Sequence, residues 1–451
     1  MNLIYGIKDK PKFVQLIVFA FQQMLAIMAA TLVVPVLVNA YGVQNLEMDI
    51  AAALLGAGMG TGVYIAFTKA KSPVFLGSSF AFLSAMYAAT AFGYFGIIMG
   101  AVLAGLVYVL IAIAIKVFGT RWIDKLMPPI IIGPTVAIIG LSLAGSAISD
   151  LTNVTTGSYN LIHILCGLVT LLVVVLCSTF GKKMAKLIPF IIGILSGYAL
   201  AGIFTIIGSA TGCDYLKVLN VLNVSALTSL DFGSLSGWIH VPQFAFVKAA
   251  QESFDWANLG TIAVLYMPVA FVVFAEHIAD HKNLSSIIGQ DLVSGEPGLA
   301  RTLLGDGIGS MVGAFFGSCP NTTYGESIGC VAITRNASVV TIITAAIGCV
   351  ILSFFAPFVA FVNTIPGCVM GGVCITLYGF IAVSGLRMFK HIDLDKNRNL
   401  FVVATILITG IGGLTLNFGK ITITNIATAL ILGILVNTVL SIGEKRHKEE
   451  A

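Results

Sequence analysis

The amino-acid sequence predicts an all-α polytopic membrane fold of about fourteen spanning segments arranged as two related halves. Three observations carry this expectation: an oily composition, long stretches without charge, and matching interruptions in the two halves. Of 451 residues, 58% are hydrophobic and 10% charged, with a mean hydropathy of +1.00. A soluble domain carries about 25% charged residues, so this inventory does not furnish a water-facing surface. No Asp, Glu, Lys or Arg falls between Lys12 and Glu47, nor from Leu126 to Ser149. Each stretch exceeds the roughly 20 apolar residues that cross a hydrocarbon core as a helix. The first, 13–40, is too long for the core of a cleavable signal peptide and lacks a clear small-residue cleavage site, so it reads as a span.

Along the chain, spans are expected near 13–39, 48–68, 74–90, 93–117, 128–147, 161–180 and 187–208. A polar connection, 209–258, follows, with an amphipathic segment around 244–254. The second set runs near 259–282, 302–317, 326–337, 338–362, 366–388, 399–416 and 421–442. The first repeat is thus 1–208 and the second 259–451. Basic residues mark alternate loops: Lys8, Lys10 and Lys12; Lys69 and Lys71; Arg121 and Lys125; Lys182, Lys183 and Lys186; Arg387, Lys390, Lys396 and Arg398; and Lys445, Arg446 and Lys448. The intervening loops 39–49 and 146–160 hold no Lys or Arg. By the positive-inside rule both termini are cytoplasmic, the connection is extracellular and the number of spans is even. The expected location is a multi-pass position in the cytoplasmic (inner) membrane.

Seven spans per half would set the second copy upside down relative to the first. Met127-Pro128 followed by Gly133 parallels Ile365-Pro366 followed by Gly371, 238 residues later. Gly77-Ser78-Ser79-Phe80 interrupts an apolar segment in the first half, and Pro320-Asn321-Thr322-Thr323-Tyr324-Gly325 does so in the second. Gly/Pro-interrupted segments at corresponding positions point to a transporter site at a repeat interface, beyond an ordinary kink. The cysteines Cys166, Cys177, Cys213, Cys319, Cys330, Cys349, Cys368 and Cys374 form no CxxC pair and read as small packing residues. The net charge of +4 comes from the short basic loops, so no nucleic-acid partner is implied.

Chemistry concentrates in two places. In Pro268–His281, Glu276 follows an unbroken apolar run. A charged group there costs about 2.5–3.5 kcal/mol on insertion scales, so it is expected to face a cavity or partner. Helical spacing sets Glu276 and Asp280 on one face and His277 and His281 on the neighbouring one. His281 is expected at the cytoplasmic end of the helix beside Lys282. A zinc site on the two histidines is disfavoured, because no further ligand cluster accompanies them and the pattern is not His-Glu-x-x-His; no metal and no cofactor is implied. The second place is Phe316–Arg335, where Pro320 and Gly325 imply non-helical backbone before a half-helix with Glu326 in its first turn. The acid there is either a stabilising charge at a helix start or a ligand group. Two intramembrane carboxylates with exposed backbone donors suit a neutral ligand that offers both N–H donors and carbonyl acceptors, such as a planar cyclic imide.

At these residues the sequence resembles the nucleobase:cation symporter-2 (nucleobase–ascorbate transporter) family, and within it the bacterial uracil permeases. The resemblance runs over essentially the whole chain. Its most specific piece is the signature Gln/Glu/Pro-Asn-x-Gly-x-x-x-x-Thr-Arg, matched by Glu326, Gly329, Thr334 and Arg335, with Ser327 where the signature has Asn. Gly77–Phe82 and the stretches around Glu276 and Glu326 are also similar. The resemblance implies two inverted seven-helix repeats intertwined into a core domain (spans 1–4 and 8–11) and a gate domain (spans 5–7 and 12–14), with short extended segments in spans 3 and 10. It implies that Glu276 and Glu326 accept the N–H groups of a nucleobase, that backbone at Tyr324 and Gly325 donates to its carbonyls, and that Phe80 approaches the ring. Proton coupling would rest on Glu276, with Asp280 standing where some relatives have His. Thr334 and Arg335 would serve packing and the cytoplasmic surface. The implied function is proton-coupled uracil import by alternating access; xanthine or another nucleobase, or an anion carrier of the same architecture, are the alternatives. Two acids would repel an anion. No nucleophile–base motif, P-loop or ring of charged pore residues supports an enzyme or channel. Implied partners are uracil or a related nucleobase, protons and membrane lipid, with a homodimer possible through the apolar gate surface.

Overall fold

The structure, a computed structural model, describes residues 3–44, 46–152, 159–182, 184–211, 221–418 and 421–450. Lys183, Cys213 and part of the 209–258 connection lie outside the described residues. The first half comprises α1 (Phe13–Tyr41), α2 (Ile50–Phe67), β1 (Leu76–Ser78), α3 (Leu83–Ala89), α4 (Gly93–Phe118), α5 (Pro129–Ser142), α6 (Ala144–Thr152), α7 (Leu161–Phe180) and α8 (Pro189–Thr211). The second comprises α9 (Leu259–Ile288), α10 (Leu299–Phe316), β2 (Asn321–Thr323), α11 (Gly325–Thr334), α12 (Val339–Ser353), α13 (Ala356–Asn363), α14 (Gly367–Arg387), α15 (Asn397–Ile411), β3 (Leu416–Phe418), β4 (Ile421–Ile423) and α16 (Asn425–Glu450). Nine stretches among the described residues are long and apolar enough to cross a membrane unaided. The remaining spans are shorter or compound: β1 with α3, β2 with α11, and helices broken in two. The result is the expected pair of inverted seven-span repeats.

The extended segments fall in spans 3 and 10, where glycine and proline interrupt the apolar pattern. Backbone polar groups at membrane depth need internal partners, and each strand supplies the other's. β1 and β2 pair antiparallel, Leu76 with Thr323, Gly77 with Thr322 and Ser78 with Asn321. The ladder is extended by Ser79 N–H to the Pro320 carbonyl at 2.9 Å and Tyr324 N–H to that of Phe75 at 3.1 Å. Hydroxyls close its edges: Thr61 accepts from Leu76 N–H at 3.0 Å, Ser327 from Phe75 N–H at 3.0 Å, and Ser310 from Asn321 N–H at 2.6 Å.

Helices pack in two groups. In one, α10 lies against α2 and α4, α12 against α1 and α2, and α9 against α4. In the other, α14 lies against α5, α6 and α7, α8 against α7, and α15 against α5 and α16. Small residues allow the close approaches: a Cβ on Gly60 would sit 2.6 Å from the Gly309 carbonyl oxygen, and one on Gly309 2.7 Å from that of Gly60. The described cysteines carry free thiols, all buried except half-buried Cys177, as packing residues should.

The single span expected over 338–362 is two helices. The chain turns at Phe354–Phe355 because the long connection pairs with it there: His240 N–H donates to the Phe354 carbonyl at 2.9 Å, and Ala356 N–H to that of Trp238 at 2.9 Å. The amphipathic segment of the connection contains a short helix, Ala245–Ala249. Next to it the Asp49 carboxylate accepts from Gln243 N–H at 2.7 Å and from Ala51 N–H at 2.9 Å, capping α2, and meets His240 Nε2 at 3.2 Å. Burial alone would raise the Asp49 pKa, but these donors outweigh it and hold the carboxyl below its ordinary value.

Candidate functional site

Where the two strands cross, α3 and α11 begin and the broad middle of α9 passes. A cavity of ≈ 40 Å³ lies there, lined by Ser78, Phe80, Ala81, Ile139, Glu276, Thr322, Tyr324, Gly325, Glu326 and Ile381. Five expected residues, Glu276, Glu326, Phe80, Tyr324 and Gly325, therefore meet around one space. Ser78, Ala81 and Thr322 come from the strand crossing, and Ile139 and Ile381 from the second packing group. The two isoleucines carry no sequence signal, since they look like any other apolar span residue.

Each wall has a local cause. Tyr324 immediately precedes the helical residues of α11, so the next N–H groups begin a helix and have no carbonyl four residues back to bond. Gly325 is exposed, and nothing would touch a Cβ there, which leaves its backbone open to a ligand. The Tyr324 hydroxyl donates to the Ser78 carbonyl at 2.8 Å, tying α11 to the opposite strand. Phe80 stands edge-on to Tyr378 of α14, ring centroids 5.6 Å apart. Glu276 and Glu326 are both half-buried, and neither is in an ion pair with Lys or Arg among the described residues. Ser327, where the family signature has Asn, turns away from the cavity to the β1 edge.

Asp280 is not in the cavity wall; its Oδ2 accepts from the Thr323 hydroxyl at 2.7 Å, one residue before Tyr324. The expectation that His281 lies at the helix end beside Lys282 is corrected: α9 continues to Ile288, and His281 is 1% exposed. Its Nδ1 faces the His277 carbonyl at 2.8 Å, so that nitrogen carries the hydrogen, and Nε2 meets the Tyr64 hydroxyl at 2.7 Å, which in turn bonds Ser72 Oγ at 2.7 Å. The His277 and His281 rings stack with centroids 4.0 Å apart. His277 Nε2 donates to the Thr302 hydroxyl at 2.9 Å, because that hydroxyl spends its own hydrogen on the Leu299 carbonyl at 3.0 Å. His277 Nδ1 meets Asp306 Oδ2 at 2.7 Å, a bond that holds one proton between them. Asp306, in the Gly305-Asp306-Gly307 run of α10, is the group that sequence reasoning missed. Its neighbours are apolar and small, and its partner lies on another helix.

A second, wider space adjoins the first. It measures ≈ 370 Å³, shares Gly325 and Glu326 with the cavity, and is otherwise lined by residues such as Ala26, Lys186, Phe190, Cys330, Ile333 and Phe380. Lys186 and Ile333 lie toward the end of the molecule where Ile4 and Tyr5 bond the Arg335 carbonyl. The site thus communicates with one end of the molecule through this vestibule.

The Xan_ur_permease model, described as a permease family, matches residues 14–419. The chain is 37% identical over 441 residues to the uracil permease of Bacillus caldolyticus, covering 97% of this chain and 94% of that one. It is 36% identical over 444 residues to the uracil permease of Bacillus subtilis (strain 168), covering 96% and 94%. Among solved structures, it superposes on the inward-facing murine Solute Carrier 26 family member A9 anion transporter with a TM-score of 0.66 at 10% identity, covering 97% of this chain and 69% of that one. At that identity the likeness is one of fold.

Proposed function

The chain belongs to this permease family, a transporter and not an enzyme, and on that premise we propose that it imports uracil across the cytoplasmic membrane in symport with protons, by alternating access. The observation that carries the proposal is the pairing, around one cavity, of two uncompensated carboxylates with an open helix start. Uracil is neutral and planar, with two ring N–H groups and two carbonyls. Glu276 and Glu326 accept the N–H groups, the first-turn N–H groups at Gly325 and Glu326 donate to a carbonyl, and Phe80 lies against the ring. An anion would meet two acids in the cavity wall, which disfavours an anion carrier here.

Protons enter through Glu276. Protonation removes the charge that holds the loaded site in place, and departure of the proton toward the vestibule restores it. Asp280, anchored to Thr323, couples the proton on α9 to the strand that precedes α11. The cavity has room for a few waters, each needing roughly 10–15 Å³ of such space, and not for a ring. A ring-sized ligand therefore occupies it together with the adjoining vestibule, or after the second packing group draws back. In this proposal that group is the gate domain, the first group is the core, and the vestibule and both termini face the cytoplasm.

Radiolabelled uracil uptake into proteoliposomes under an inward proton gradient tests this. Wild type should concentrate uracil and be competed by uracil but not by xanthine. Glu276→Gln and Glu326→Gln should each lose about 10- to 100-fold in kcat/KM, the worth of one hydrogen bond to a charged group. Glu276→Gln should also lose its dependence on the gradient. Uptake indifferent to the gradient in wild type removes the coupling; preference for xanthine replaces the substrate.

A further inference from the structure

At the end of the molecule opposite the vestibule, the hydroxyl of one tyrosine bridges the two packing groups. Tyr41 is the last residue of α1, and its hydroxyl donates to Asp150 Oδ1 at 2.8 Å and approaches the Ser146 carbonyl at 3.2 Å. Asp150 lies in the last turn of α6, 109 residues further along the chain. Both ends of the bond are fixed. The Tyr41 ring rests on that of Tyr87, centroids 6.0 Å apart, and Val43 N–H bonds the Tyr87 carbonyl at 3.1 Å, so Tyr41 is held by spans 1 and 3. On the other side, α6 backs onto α14 at Gly371, where a Cβ would sit 2.6 Å from Leu151 N and 3.0 Å from the Ala147 carbonyl oxygen. Asp150 moves with α14, and Tyr41 moves with α1. No Lys or Arg is in an ion pair with Asp150 among the described residues, so the tyrosine hydroxyl is the group that compensates its carboxylate.

We propose that Tyr41 and Asp150 form the latch of the outer gate. While their bond is made, the far end is shut and the site communicates through the vestibule. For the site to open the other way, α6 and α14 must move from α1, and the bond to Asp150 is the carboxylate contact that breaks. The proposal rests on the permease function for its meaning in transport, but the latch itself is a property of the empty protein.

Two measurements separate the latch from the function. In the first, hydrogen exchange is followed by mass spectrometry in nanodiscs without substrate, for wild type, Tyr41→Phe, Asp150→Asn and the double variant. Tyr41→Phe keeps the ring on Tyr87 and removes only the hydroxyl. Exchange should rise at 38–44 and 144–152 and fall at 325–334, beside the vestibule. The double variant should equal the single ones, since either change removes the same bond. A rise at both ends, a change confined to one end, or additive effects would overturn the latch. In the second, uracil uptake from outside is measured. A larger outward-open fraction lowers the apparent KM in proportion, so each variant should show an external KM about three- to tenfold below wild type. A purely structural contact would lower the maximal rate and leave KM alone, and that result also overturns the proposal. If wild type takes up no uracil, the substrate assignment fails while the exchange arm still decides the latch.

Discussion

Asp306 is fully buried in an apolar helix and its tolerance rests on His277. An isolated charge there would cost several kcal/mol, whereas a hydrogen-bonded pair of imidazole and carboxyl is neutral as a unit. Asp306→Ala should therefore destabilise the protein by about 3–5 kcal/mol, seen as a lower Tm in detergent. Asp306→Asn should cost far less, because its amide N–H still donates to Nδ1 while Nε2–H stays on Thr302. Equal losses in the two variants would show that bulk, not hydrogen bonding, matters at this position. The sequence exposes Glu276 plainly, as an acid at the end of an apolar run. It hides Asp306, because a lone carboxyl between two glycines inside the expected 302–317 span shows no partner nearby in sequence, and its histidine lies on a different helix. His281 was misplaced for a related reason: Lys282 suggests water, but the helix presents its histidine face to Tyr64 and its lysine to the outside.

The strand crossing is the element on which the site depends. Gly77 meets the Tyr324 ring so closely that any Cβ would run into it. Gly77→Val should push Tyr324 from the Ser78 carbonyl and displace the start of α11, lowering uracil uptake more than tenfold while the protein still reaches the membrane. Uptake normalised to the amount of inserted protein checks this, and normal transport by the variant would show that the crossing can spread without harm. Glycine, serine and proline at 77–79 and 320–325 make the existence of both extended segments legible. Their pairing and register are not, because the partners belong to different halves and local pattern says nothing about which distant backbone completes a ladder. The break at Phe354–Phe355 does carry a local sign, Pro357 in the first turn of α13, and backbone bonds from the connection hold it there.

At the scale of the molecule, the connection fastens onto span ends through Asp49. The carboxyl is held below its ordinary value of 3.8, so its contribution to stability is fully present above that value and is lost as pH falls through the lower, folded one. Wild type should be more stable than Asp49→Asn at neutral pH, and their melting temperatures in detergent should converge as the medium is acidified below pH about 4. A gap that persists in acid would mean that the charge is not what Asp49 contributes. The two halves, their interruptions and the number of spans follow from periodicity and charge placement. The assignment of helices to two packing groups does not, because helices of the first half pack against helices of the second across the chain, and local pattern does not report distant partners. The ladder between the halves has a consequence for biosynthesis. Gly77 pairs with Thr322, 245 residues later, and ribosomes add roughly 5–20 residues per second. For on the order of 10–50 seconds, the nascent first half sits in the insertion machinery with β1 lacking its mate. A truncated chain that stops before β2 is thus expected to be a substrate for membrane quality control, and the two halves expressed as separate polypeptides should each be short-lived alone and persist only together.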